Sequence, residues 1–273
     1  MRRLHLFEFE DLTWYPAPLR NLITDFLRDV LVLGRRVYDP AIPLIARVLE
    51  ASRSAEVVDL CSGGTGPWRS LKGPLDELCG PVSLVFTDRY PNLPAFRLAQ
   101  ASLGPGRVRF ESEPVDAASV DARLGGVRTM FTCLHHFAPE SARRTLADAF
   151  NRRTGICVFE FTERSLGPVV GSLLLAPLMV LLMTPQIRPL TLSRLLFTYL
   201  VPVAPLTVTW DAVASNLRTY SPRELRTMVG DLVAPDYRWE IGRLPGRGLR
   251  PRITFILGYP QPTDGPVLPS GDA

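Results

Sequence analysis

Glu56-Val57-Val58-Asp59-Leu60-Cys61-Ser62-Gly63-Gly64-Thr65-Gly66 is a short apolar, β-branched run that ends in an acid and passes straight into a glycine-rich turn. Glycine lacks a side chain and accepts positive φ, so such a turn lets backbone come close to a ligand. A tight strand-to-helix turn without a ligand uses glycine too. Three glycines among residues 63–66 favour the ligand-binding reading.

Outward from this motif, short β-branched runs alternate with longer helical stretches. Candidate strands fall at 56–60, 82–87, 108–111, 129–132 and 156–161, a pattern that predicts a parallel sheet with crossover helices. Residues 1–50 read as a helical lead-in or cap, with Leu19, Leu22, Ile23, Phe26, Leu27, Val30 and Leu31 at helical spacing after Pro16 and Pro18. Beyond Phe161 the alternation stops. A proline-punctuated apolar stretch, 165–210, reads as an insertion. Ser221-Pro222-Arg223-Glu224 then forms a capping box that opens a helix through Val229. Strands at 237–241 and 252–259 around a 242–248 loop predict a closing hairpin, and the Pro/Gly/Asp-rich tail 261–273 is expected to be disordered. Residues 51–164 and 211–260 thus make one α/β domain.

The 273 residues are 46% hydrophobic and 21% charged, which excludes a disordered chain. The net charge of +4 comes almost wholly from arginines that alternate with acids, so no compact basic stripe marks a nucleic-acid partner. Four widely spaced cysteines without a CxxC pair give no expectation of a metal site or a disulfide framework, and they suit a reducing cytoplasm. Acids at Glu8, Glu10 and Asp11 interrupt the apolar core that a signal peptide would need, so export is not expected.

Two nucleotide-type cofactors compete for the glycine turn. A dinucleotide fingerprint needs G-x-G-x-x-G/A, but Pro67, Trp68 and Arg69 follow Gly66, so the third small residue is missing. Here the chain resembles the class I S-adenosylmethionine-dependent methyltransferases, whose first motif is an acid-containing strand followed by a G-x-G-type loop. Asp59 and the run Cys61, Ser62, Gly63, Gly64, Thr65, Gly66 match it. The resemblance implies a Rossmann-like sheet with an antiparallel C-terminal hairpin, and S-adenosylmethionine as cofactor. It implies that Asp88, ending Leu84-Val85-Phe86-Thr87-Asp88, accepts hydrogen bonds from two ribose hydroxyls, and that Asp116 and Ala117 read the adenine edge. Thr129 to Phe137 is similar to the fourth-strand motif, with Thr132 in the cofactor wall and Leu134-His135-His136 at the mouth. The resemblance covers about 57–161, and 221–259 in topology. Each acid alone has an ordinary reading as cap or turn former; their placement at successive strand ends favours the site.

A sulfonium methyl group is already electrophilic, so such a protein chiefly aligns donor and nucleophile and excludes water. His135 and His136 are candidate bases, against a packing and capping role. Glu160 and Glu163 flank the fifth strand's exit as bases or as scaffold. Asp211, Arg218 and Tyr220 are acceptor-side candidates, against simple capping and salt bridging. Asp11 to Pro16 reads either as pocket wall or as a hydrophobic staple.

Residues 165–187 carry no charge, and the run meets the length of about 20 residues that a membrane span needs. A second uncharged run covers 195–210. Pro168, Pro177 and Pro185 predict short pieces, and the resemblance implies a substrate-recognition lid at this place, so a lid of short helices over an apolar acceptor is expected ahead of shallow membrane attachment and, last, a span. The expectation is methyl transfer to a small, apolar or lipid-like acceptor, in the cytoplasm or peripheral to the inner face of a membrane. The alternatives are a cofactor-binding protein without turnover, a membrane-associated interaction module, and an NAD(P)-dependent oxidoreductase.

Overall fold

A computed structural model describes residues 1–33, 36–104, 106–246 and 251–262, and the side chains of all of these except 30–33. The opening motif forms β1 (Glu56–Asp59) at the centre of a seven-stranded sheet. The other strands are β2 (Ser83–Phe86), β3 (Val108–Phe110), β4 (Val127–Phe131), β5 (Ile156–Glu160), β6 (Tyr237–Leu244) and β7 (Ile253–Pro260). Their order is β3-β2-β1-β4-β5-β7-β6; the first five are parallel and β7 is antiparallel to both β5 and β6. All five sequence-predicted strands form. The hairpin forms as well, with β6 running three residues past the predicted strand end at Ile241 into the expected loop. Residues 247 and 248 of that loop and the tail from 263 lie outside the described residues, as do the side chains of Val30 and Leu31.

Helices cover both faces, as a parallel sheet requires. In β1, Val57 faces a core with α2 (Ile42–Ala51), α3 (Trp68–Cys79) and α4 (Leu93–Ser102), and Val58 faces the opposite core with α5 (Pro139–Asn151). This is the strand period of two, and both mid-strand residues are apolar because neither face meets water. α9 (Pro222–Val229), opened by the expected reciprocal Ser221–Glu224 box, joins the second core.

A third apolar cluster joins α1 (Ala17–Leu33) to the insertion, through Tyr15, Leu22, Ile23 and Phe26 against Val180, Met183, Ala204 and Val208. The insertion is not a set of short pieces. α6 runs unbroken from Leu166 to Met183, α7 (Leu192–Leu195) is one turn, and α8 (Val203–Arg218) carries the chain back to the domain. Pro168 sits in the first turn of α6, where its missing N–H has no intrahelical partner to lose, and Pro177 forfeits a single bond in mid-helix. α8 also crosses the expected boundary at 210/211 without a break, so insertion and domain share one helix.

Candidate functional site

Strand order reverses between β1 and β4, and a cavity of about 560 Å3 opens there, outside the carboxyl ends of the parallel strands. The chain reaches it through left-handed residues: Cys61 (φ 55°) and Thr65 (φ 86°) follow β1, and Thr132 (φ 48°) follows β4. Non-glycine residues seldom adopt this conformation, and it collects at functional sites. Asp59, Cys61, Ser62, Gly63, Gly64, Gly66, Asp88, Asp116, Ala117 and Thr132 all line the cavity, as the sequence led us to expect. Thr65 does not. It turns inward, 1% exposed, and serves the turn itself.

The three acids are held differently. Asp59 is buried, which pushes it up to about 6 despite a 2.7 Å bond donated by Thr129 Oγ1. Asp88 is pinned by two backbone donors, Gly63 N–H to Oδ2 and Tyr90 N–H to Oδ1, both at 2.7 Å. Burial pushes its pKa up and these donors push it down; the net shift is upward. Each carboxylate oxygen has a second acceptor direction left. Asp116 is exposed and takes the Ala118 N–H on Oδ1 at 2.9 Å, which leaves Oδ2 for a ligand.

The glycines have a second duty that the sequence did not show. A Cβ on Gly64 would fall on the Thr24 carbonyl of α1 and lie 2.8 Å from its carbon, and one on Gly63 would lie 3.2 Å from the Thr24 methyl. The turn is therefore small so that α1 can rest on it. Gly64→Ala is expected to lift α1 and cost about 1–3 kcal/mol, the usual penalty of overpacking. Urea denaturation and faster proteolysis within α1 would show it, and an unchanged protein would mean that the roof is not seated on the loop.

α1 and the residues before it roof the cavity. Arg20, Asn21, Thr24 and Leu27 line it from α1, and His5, Phe7, Glu10 and Asp11 from the N-terminal segment. Arg20 clamps that segment by donating to the Glu10 and Leu12 carbonyls (3.0 and 2.7 Å) and lies 4.0 Å over the Tyr90 ring. No described residue of 165–210 lines the cavity, so the expected lid over the acceptor is not the insertion. The insertion packs on the outer side of α1, and the lead-in takes the covering role.

Beside the cavity lies a buried charge network. Glu160 Oε2 meets His135 Nδ1 at 2.8 Å, and Glu160 Oε1 accepts the Cys133 and His135 N–H groups. Glu8, fully buried, sits between His135 (3.7 Å), His136 (3.5 Å) and Arg218 (3.1 Å). Asp11 contacts His136 Nδ1 at 2.9 Å and Arg218 Nη1 at 2.8 Å, and His136 Nε2 lies 3.4 Å from Glu10. Burial works against the charge on both imidazoles, but Glu160 holds His135 above the ordinary histidine range, and Glu8 and Asp11 hold His136 well above it. The same pairs keep Glu8, Asp11 and Glu160 below the carboxylate range in spite of burial. Glu10 is pushed up to about 7 by burial.

Of the expected catalytic residues, His136 alone lines the cavity. His135 stands behind it, 1% exposed. Asp211 is buried, accepts the Phe9 N–H at 2.8 Å and is pushed up to about 8, so it anchors the N-terminal segment. Tyr220 donates to the Phe137 carbonyl at 2.7 Å, under the Arg3 guanidinium, and is part of the wall's support. Arg218, expected on the acceptor side, does line the cavity. Of the 11–16 group, Asp11 reaches the cavity while Trp14 is exposed and Tyr15 joins the α1 cluster. Glu163 accepts nothing from the cavity and faces Arg243 at 3.8 Å. Glu8 and Glu10 were missed altogether. Their one local signal is an inverted alternation, with Glu8 buried and Phe7 half exposed.

Glu8, His135 and His136 bring ligand-type atoms within 4.8 Å of one another, a grouping that the cysteine count gave no reason to expect. Arg218 already supplies a fixed positive charge to this carboxylate, so the group reads as an ion-pair network.

No family model matches the sequence, and no curated protein matches it. Among solved structures the chain is similar to the CMeT domain of the citrinin polyketide synthase, at TM-score 0.52 and 12% identity, over 94% of this chain and 60% of that one. It is similar to a Rhodobacter sphaeroides protein described as a zinc-dependent alcohol dehydrogenase, at TM-score 0.50 and 12% identity, over 89% and 98%. A Nostoc punctiforme protein described as an O-methyltransferase overlaps at TM-score 0.47 and 15% identity, over 86% of this chain and 59% of that one. The chain thus spans about three fifths of the length of the first and third of these. The likeness is one of fold, the Rossmann-like sheet with its antiparallel closing hairpin. Proteins described so differently share it, so activity must be argued from the site.

Proposed function

We propose that the chain is a class I methyltransferase that uses S-adenosylmethionine and acts on a small, largely apolar acceptor. The observation that carries this is Asp88: its carboxylate is fixed by the Gly63 and Tyr90 N–H groups at the cavity wall with one acceptor direction free on each oxygen, as two neighbouring hydroxyls require. The donor set fits the rest of the cofactor. Asp116 Oδ2 and the Ala117 backbone suit an adenine edge, and Asp59 and the 61–66 turn close the other end. The dinucleotide alternative is disfavoured by Arg69, which stands where the fingerprint needs a small residue.

When bound, S-adenosylmethionine supplies an electrophilic methyl group. The chain's own residues bind, orient and handle the proton. Leu6, Phe7, Phe137 and Phe161 offer the acceptor an apolar wall. His136 and Glu10, 3.4 Å apart and both on the cavity, form a pair that receives the acceptor's proton once the ring has lost its own. His135, between Glu160 and Glu8, and Arg218 hold His136 in place. Water is kept out by α1 and the N-terminal segment.

Titration calorimetry tests the reading. S-adenosylmethionine or its demethylated product should bind and NAD should not; the reverse result overturns it. Asp88→Ala should weaken binding by about 1.5–3 kcal/mol for each charge-assisted bond lost. Unchanged affinity in a folded variant would remove Asp88 from the site.

A further inference from the structure

α6 is apolar on every side, and its surroundings cover little of it. Residues Leu166–Gln186 have a mean hydropathy of 2.2 and are 11% buried. Only Val180 and Met183 of α6 are sealed, against α1 and α8. Leu173, Leu174, Leu175, Leu178 and Leu182 are 49–66% exposed, and beyond the turn Leu192, Leu200 and Leu206 are 69–83% exposed. Soluble monomers seldom leave apolar surface of this extent in water. Something covers it.

Charge decides between the occupants. From Arg164 to Trp210 the chain has three arginines and no acid. Arg164 is paired with Glu224 and Arg194 is buried on Asp25, which leaves Arg188 exposed beside Leu190 and Leu192. A self-complementary dimer face would have to bring an acid to that arginine, and this face has none to offer. An apolar face fringed by one exposed cation and by aromatic groups matches acyl chains beneath anionic headgroups; the aromatic groups are Tyr199 and Trp210, 49% and 37% exposed.

We propose that the outward face of α6, with the corner from α7 into α8, seats the protein on the surface of a bilayer containing anionic lipid, without crossing it. α6 has 18 residues, about 27 Å of helix, close to the hydrocarbon thickness. It is nonetheless packed along α8, whose C-terminal half ties buried Asp211 and Arg218 to the N-terminal segment, so the pair lies on the membrane. The α6–α8 pair and then α1 stand between bilayer and cavity: Leu22, Ile23 and Phe26 face α6 and α8, and Arg20, Thr24 and Leu27 face the cavity. This seating stands whether or not the cavity transfers methyl groups.

Flotation of the full chain with phosphatidylcholine vesicles, with and without phosphatidylglycerol, tests the seating and needs no activity. The wild type should float with the mixed vesicles and less with neutral ones or in high salt. Leu174→Asp/Leu181→Asp should remain at the bottom with an unchanged thermal midpoint, because both leucines are exposed. Arg188→Gln should lower binding to the mixed vesicles by about fivefold, the worth of one interfacial arginine. A wild type that ignores both vesicles and sediments as a dimer would overturn the proposal in favour of a second copy. Equal flotation of the double aspartate variant would also overturn it, as would resistance of the membrane-bound wild type to carbonate extraction, which marks a span.

Discussion

His136→Gln is expected to lower turnover about 10²–10⁴-fold, the usual worth of a positioned base, while S-adenosylmethionine affinity stays nearly the same. The ring is the one expected catalytic imidazole on the cavity, and its ion-pair partners are Glu8, Glu10 and Asp11, not the cofactor-side acids. Because Glu8 and Asp11 hold His136 well above the ordinary range, it is protonated near neutrality and gains basic form as pH rises. The rate should therefore climb toward alkaline pH, and Asp11→Asn should move that climb to lower pH by removing one of the groups that favour the cation. The stability effect has the opposite sense: a raised imidazole pKa stabilises the fold fully below the unfolded value and loses that contribution as pH rises through the folded one. Rate–pH profiles of the three proteins, with equilibrium unfolding at matched pH, test both. A flat profile in the wild type, or His136→Gln with full turnover, would leave the ring as structure only.

Arg218→Met should cost about 3–5 kcal/mol of stability, as breaking a buried ion pair from one side does. The guanidinium is 2% exposed, and it bonds Asp11, the His135 and His136 carbonyls and, at 3.1 Å, pairs with Glu8. Methionine keeps the volume and leaves two carboxylates and two carbonyls without their cation. Urea denaturation measures the loss. Arg218→Met with Glu8→Gln should recover part of it, since the stranded charge goes too. A loss below about 1 kcal/mol would place the network among solvent-screened surface pairs.

What was readable in the sequence is what local pattern encodes. Val57 and Val58 sit between two buried faces, and the Ser221–Glu224 box closes within one turn, so both were legible without a neighbour. Glu8 and Glu10 were legible only as breaks in an apolar run. Their partners lie far along the chain, Phe9 to Asp211 and Glu8 to Ser215, and a pairing over such a separation leaves no periodic trace. Gly64 was legible as glycine, yet its reason, the Thr24 backbone, comes from a helix that sequence reasoning treated as a separate cap. The insertion was placed over the acceptor because it follows β5. Tyr15, Leu22 and Phe26 draw it to the far side of α1 instead, which no count of prolines reveals.

The bond from Leu4 N–H to the Leu217 carbonyl, with Arg218 gripping Asp11 across 207 residues, also fixes an order of events during synthesis. At roughly 5–20 residues per second, a ribosome delivers Arg218 about 10–40 s after Asp11 has emerged. Throughout that interval the parallel strands can pair and Asp11 can meet His136, but Leu4 and Asp11 still lack these two distant partners. The nascent chain therefore completes the roof of its pocket only after the parallel strands beneath it have been made.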